Sequence, residues 1–132
     1  MSIHADPRFE YPSYCGFEEE NTEVIHNFIF EKKATWKQYR KQFDEALNII
    51  RSFNPDVIVI PFGADTLNND PDASNLYGCA LEVNDYLEMG KMIGELGKKV
   101  IITQEGGYDL ARVPQVILNL LSSCLDSLGK NC

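Results

Sequence analysis

The order of patterned segments predicts an α/β fold built on parallel strands. Two β-branched runs, Val57-Ile58-Val59-Ile60 and Val100-Ile101-Ile102, are apolar throughout. Such runs suit strands buried on both faces, as in a parallel sheet. Segments with helical spacing lie between and after them, and that alternation is the one that generates parallel strands joined by helical crossovers.

Each element has its own signals. Ser2-Ile3-His4 reads as the tail of a strand, and Phe28-Ile29-Phe30 as a further short one. Thr35 is a good N-cap, and Trp36, Tyr39, Phe43, Leu47 and Ile50 then recur at helical spacing. Asn54-Pro55 closes that helix. The 57–60 strand follows. Asn84 can cap a second helix with an apolar face of Tyr86, Met89, Ile93 and Leu96, which Gly97 stops. After the 100–102 strand, Pro114 suits the first turn of a last helix. Its expected buried face is Ile117, Leu120, Leu121, Cys124 and Leu128, and Gly129 ends it.

Composition is that of an ordinary globular domain, with 44% hydrophobic and 24% charged residues in 132. Twelve Lys and Arg against twenty Asp and Glu give a net charge of −8. This balance disfavours nonspecific nucleic-acid binding, which needs a basic face. It suits a cationic partner such as a basic peptide or polyamine, or simply solubility. The run Glu18-Glu19-Glu20 reads as a solvated loop. The four cysteines, Cys15, Cys79, Cys124 and Cys132, form no C-x-x-C pair and match no zinc ribbon or finger. With no signal peptide and no bilayer-length apolar run, the expected compartment is cytoplasmic, with the nucleus as the alternative.

In open parallel sheets, chemistry gathers beyond the carboxyl ends of the strands. After the 57–60 run comes Phe62-Gly63-Ala64-Asp65-Thr66, then Asp70-Pro71 with turn chemistry. Asp65 can ligate a metal or act as a base, or it can make a cap or loop hydrogen bond. After the 100–102 run comes Glu105-Gly106-Gly107-Tyr108. Its glycines permit a sharp turn or a close approach. A phenol at Tyr108 can donate to a developing oxyanion, or the segment is a tight turn with an aromatic packed over it. His4 and Asp6, two apart, point to one side of an extended segment. They either join Asp65 at a metal, or His4 is a structural histidine bonded inside the fold. His26 has no evident partner and reads as structural.

Together these segments resemble the later part of the histone deacetylase and acetylpolyamine amidohydrolase family. Ser2-Ile3-His4-Ala5-Asp6-Pro7, with Tyr11-Pro12 and Gly16-Phe17, is similar to the family's S-I-H-x-D-P…(F/Y)-P…G-F segment. Phe53-Asn54-Pro55, the strand, Gly63-Ala64-Asp65-Thr66 and Asp70-Pro71 resemble its N-P-(strand)-G-x-D-x…D-P block. Glu105-Gly106-Gly107-Tyr108 resembles its (E/G)-G-G-Y loop. The wording slightly favours the bacterial and acetylpolyamine branch.

The resemblance implies a three-layer α/β/α, arginase/deacetylase-like architecture, with residues 1–132 as the C-terminal portion of the domain. It implies zinc-dependent hydrolysis of the acetyl amide of acetyl-lysine or an acetylpolyamine. Asp65 corresponds to a zinc ligand, and Tyr108 to the tyrosine that polarises the amide carbonyl. Tyr11 corresponds to an aromatic wall of the acyl-chain tunnel. Gly106 and Gly107 let the loop bring Tyr108 over the metal. Ser2 and the Ile3 carbonyl correspond to part of a structural monovalent-cation site, with potassium the implied ion.

One departure governs the expected activity. The family's other zinc ligands, Asp-x-His, and its His-His acid–base pair precede the S-I-H segment, and this sequence contains neither pattern. A single carboxylate falls short of the three protein ligands usual at catalytic zinc. The chain alone is therefore expected to be inactive. It would work with an N-terminal half, or serve as a non-catalytic oligomerising or partner-binding module. A further expectation is an uncovered apolar sheet edge where neighbouring strands are absent.

Overall fold

The computed structural model describes residues 1–73 and 76–129. Seven elements follow in order: β1 (Ser2–His4), β2 (Asn27–Ile29), α1 (Trp36–Phe53), β3 (Val57–Phe62), α2 (Asp85–Gly94), β4 (Lys99–Gln104) and α3 (Val113–Leu128). The strands pair in parallel, β1 with β2 and β3 with β4. Helix crossovers separate β3 from β4, as parallel neighbours require. The α/β expectation holds. Cys132 lies outside the described residues.

The local signals act as the chemistry demands. The Thr35 N–H donates to Gln38 Oε1 at 3.0 Å, holding one of the orphan donors at the start of α1. Asn54 takes the left-handed conformation, φ 54°, and closes that helix. Asn84 stands at the N-cap of α2, and Pro114 in the first turn of α3. Gly97, at φ 62°, lies past the end of α2, which stops at Gly94. Glu18, Glu19 and Glu20 form an exposed 3-10 turn, in keeping with a solvated segment.

Two expectations need correction. The strands are not buried on both faces. Ile58 and Phe62 point into the core, while Val59 on the other face is 59% exposed and its partner Ile101 53%. Among the described residues nothing covers the second face, so Val57, Val59 and Ile101 meet solvent. The expected buried face of α3 holds except at Leu121. Leu120 and Cys124 are buried and Ile117 and Leu128 pack against the core, but Leu121 is exposed, and Val113, Val116 and Ser127 are buried instead. The α2–α3 seam accounts for this. A Cβ on Gly90 would lie 2.1 Å from the Leu120 carbonyl oxygen, and one on Gly94 2.3 Å from that of Cys124. These glycines let the backbones approach and select which side of α3 turns inward.

The core joins that seam to the inner face of β3. Tyr86, Leu67, Leu81, Ile93, Leu120 and Val116 are fully enclosed, and Phe62 meets Tyr86 edge to face at 5.9 Å. Full burial of one such side chain is worth about 1.5–3 kcal/mol, so this cluster is what supports the ends of β3 and β4. Among the described residues no helix is long and apolar enough to cross a membrane.

Candidate active site

Strands β3 and β4 run side by side and end together, Phe62 opposite Gln104. The loops leaving them are therefore neighbours. The first makes a 3-10 turn over Ala64–Thr66, and the second contains Glu105-Gly106-Gly107-Tyr108. Two backbone bonds join them immediately. The Glu105 N–H donates to the Phe62 carbonyl at 2.8 Å, and the Ala64 N–H to the Gly106 carbonyl at 2.7 Å.

The glycines have specific jobs here. A Cβ on Gly106 would sit 2.1 Å from Asp65 Oδ2, so only glycine lets the second loop lie against that carboxylate. Gly107 adopts φ 127°, and a Cβ there would press on Ala64 Cβ at 2.7 Å. A side chain at either position would push the loops apart.

Asp65, Gly106, Tyr108, Tyr11, Ser2 and Ile3 all line one cavity of about 610 Å³. Six of the seven site residues expected from sequence thus converge. The seventh, Gly107, instead packs beneath the loop against Ala64. Burial lifts the Asp65 carboxyl above the ordinary carboxylate value. Bonds from the Asp65 and Thr66 N–H groups oppose that shift, and the charge of Asp70 adds to it. Tyr108 is half exposed at the rim, and Tyr11 stands out at 86% exposure. Glu10, Asp72 and Glu105 join Asp65 on the wall, and among the described lining residues there is no lysine or arginine. Cys79 also lines the cavity, and burial pushes its thiol up to about 12.

His4 does not join Asp65 at a metal. Its Nε2 donates to the Gly16 carbonyl at 2.9 Å, and its Nδ1 accepts from the Ser2 hydroxyl at 2.8 Å. Both ring nitrogens are thus used, and the structural reading of His4 holds. Asp6 is paired with Arg8, whose guanidinium holds the Asp6 carboxyl below its ordinary value. Among the described residues no three His, Cys, Asp or Glu side chains cluster as a metal site.

Two residues organise this region without being among the site residues expected from sequence. Asp70 is 2% exposed and receives backbone N–H groups from both loops. Arg112 donates to the carbonyls of Asn68 and Asn69 at 2.7 and 3.3 Å. These partners lie some forty residues apart in the chain, and no local pattern announces them.

These features define an α/β protein with an acidic, aromatic-edged pocket at the carboxyl ends of parallel strands, the usual position of a site in such sheets. A family profile described as histone deacetylase domain matches residues 1–124, and the chain belongs to that family. It is 32% identical to acetylpolyamine amidohydrolase 2 of Pseudomonas aeruginosa, over 91% of this chain and 35% of the relative. It is 34% identical to histone deacetylase 5 of Arabidopsis thaliana, over 92% of this chain and 21% of that protein. A crystal structure of acetylpolyamine aminohydrolase from Burkholderia pseudomallei superposes with a TM-score of 0.85 at 26% identity. It covers 95% of this chain and 37% of the other. The chain thus spans about a third of the length of the acetylpolyamine amidohydrolases it matches.

Proposed function

We propose that this chain supplies one side of a zinc-dependent deacetylase site, completed by a segment that carries the Asp-x-His ligands and the His-His pair. The observation that carries this reading is the convergence of Asp65 and Tyr108 on one cavity, at the joined ends of β3 and β4. Asp65 is one metal ligand, its position fixed by a strand end and a glycine contact. Bound zinc would polarise the acetamide carbonyl and lower the pKa of a water.

The chain's own residues do the rest of this side's work. The Tyr108 phenol donates a hydrogen bond to the carbonyl oxygen as negative charge develops there. Gly106 and Gly107 allow Tyr108 to stand over the Asp65 carboxylate. Tyr11 provides an aromatic wall for the methylenes of the acylated chain. In the β1–β2 ladder Ser2 and His4 make the bonds to β2, so the intervening Ile3 carbonyl faces away from that strand. That carbonyl and the Ser2 hydroxyl are the donors for a monovalent cation, potassium by the family pattern. The three further carboxylates on the wall, Glu10, Asp72 and Glu105, favour a substrate that remains cationic after acetylation, an acetylpolyamine before an acetyl-lysine peptide.

Co-expression with the N-terminal part of a related deacetylase domain, followed by assay of acetylpolyamine and acetyl-lysine peptide, tests this. Metal-dependent hydrolysis that disappears in Asp65→Ala is expected. A stable, zinc-loaded complex with no hydrolysis of either substrate would overturn it.

A second reading has its own observation. The open face bearing Val59 and Ile101 favours a module whose role is association alone. That reading gains if Asp65→Ala and Tyr108→Phe leave every measurable property of the assembled complex unchanged.

A further inference from the structure

We infer that Asp70 is a positioning residue that sets where Tyr108 stands relative to Asp65. Its carboxylate is enclosed and acts as a four-way acceptor. Oδ2 receives the N–H of Tyr108 at 2.7 Å and that of Asp109 at 3.0 Å. Oδ1 receives the N–H of Asp72 at 3.1 Å and that of Ala73 at 3.3 Å. One oxygen therefore serves the loop after β4, and the other serves the loop after β3.

The geometry suits this task. Asp70 holds the backbone of Tyr108 rather than its ring, so the phenol stays free at the cavity while its root is fixed. Bonds from N–H groups to a carboxylate are shorter and stronger than neutral ones. Two adjacent glycines leave many backbone directions open beyond Gly107, and the bonds to Asp70 select one. A second clamp lies just beyond. Arg112 reaches the Asn68 and Asn69 carbonyls while its Nε donates to Asp109 Oδ2 at 2.7 Å. Asp70 and Arg112 together tie Tyr108–Asp109 to 68–73, on both sides of the tyrosine's attachment.

This role rests on the assignment of Asp65 and Tyr108 proposed above, but its first test does not. Amide hydrogen exchange of the 132-residue chain, followed by NMR, reads the clamp directly. Asp70→Ala should speed exchange at Tyr108 and Asp109 by about tenfold or more, leaving the amides of Ile93 and Leu120 unchanged. Unchanged protection at Tyr108 and Asp109 in a folded Asp70→Ala chain would overturn the inference.

Should Asp70→Ala not fold, Asp70→Asn decides. Its amide nitrogen cannot accept, so one pair of N–H groups, 72/73 or 108/109, must lose protection while the helices keep theirs. Retention of both pairs would overturn the inference. In the complex with an N-terminal deacetylase segment, Asp70→Asn should lower kcat about tenfold with KM and zinc content unchanged. Zinc lost in step with kcat would instead make Asp70 a support for Asp65 and overturn its role toward Tyr108. No hydrolysis by the wild-type complex would count against the deacetylase reading alone, and the exchange result would still decide the role of Asp70.

Discussion

The loop ends of β3 and β4 and the open face of the same two strands are built in opposite ways. At the loop ends, polar groups find partners within the chain. Asp70 gathers four N–H groups, Arg112 two carbonyls and Asp109, and the Gly106 carbonyl the Ala64 N–H. On the open face, Val59 and Ile101 lie side by side and meet no helix. The difference teaches that the geometry of Asp65 and Tyr108 is set from inside this chain, whereas its hydrophobic architecture is only half satisfied. Well-bonded loop ends beside an uncovered apolar sheet face are what a portion of a larger layered domain presents.

The largest expected effect comes from the open face. Val59→Lys with Ile101→Lys should weaken association with a complementary deacetylase segment by about a hundredfold or more, since a desolvated unpaired charge costs several kcal/mol. The stability of the chain by itself should move by only about 0.5 kcal/mol, as for surface substitutions. Titration calorimetry and thermal unfolding measure the two. Equal losses in both would show that this face belongs to the chain's own core.

The seam beneath the site comes next. Leu120 is fully enclosed, so Leu120→Ala should cost about 2–5 kcal/mol in denaturant unfolding. A smaller cost would place the support of the loop ends elsewhere. Gly106→Ala should cost about 1–3 kcal/mol, because its Cβ would fall 2.1 Å from Asp65 Oδ2. It should also displace Asp65, so reconstituted hydrolysis should fall further than stability does.

The smallest effect is electrostatic. The Arg112 guanidinium holds the Asp109 carboxyl below its ordinary value. Ionised Asp109 therefore stabilises the fold above the unfolded carboxylate pKa, and that contribution fades as pH falls through the lowered folded value. Asp109→Asn should lower the unfolding midpoint slightly at pH 7 and leave it unchanged near pH 2. A larger deficit at pH 2 than at pH 7 would reverse the sign.

Much of this was legible in the sequence because it is local. Caps, breakers and periodicity placed the helices at Thr35, Asn84 and Pro114 and the strands at their apolar runs. Motif wording brought Asp65, Tyr108, Tyr11 and Ser2 to one cavity. The remainder depends on contacts between distant segments. An apolar run reads the same whether one face or both are covered, so the exposure of Val59 was invisible. The inward turn of Val113 and Val116 in place of Leu121 depends on the close approach at Gly90 and Gly94 on another helix, which the spacing within α3 does not show. Asp70-Pro71 read as a turn because its second set of partners lies thirty-eight residues further on.

The central claim is that Asp65 is one ligand of a zinc site completed outside this chain. Zinc content after removal of loosely held metal tests it most directly. Well under one zinc per isolated chain is expected, and about one per complex with an N-terminal deacetylase segment, falling sharply in Asp65→Ala. One tightly bound zinc in the isolated chain, or a zinc-loaded complex indifferent to Asp65→Ala, would contradict it.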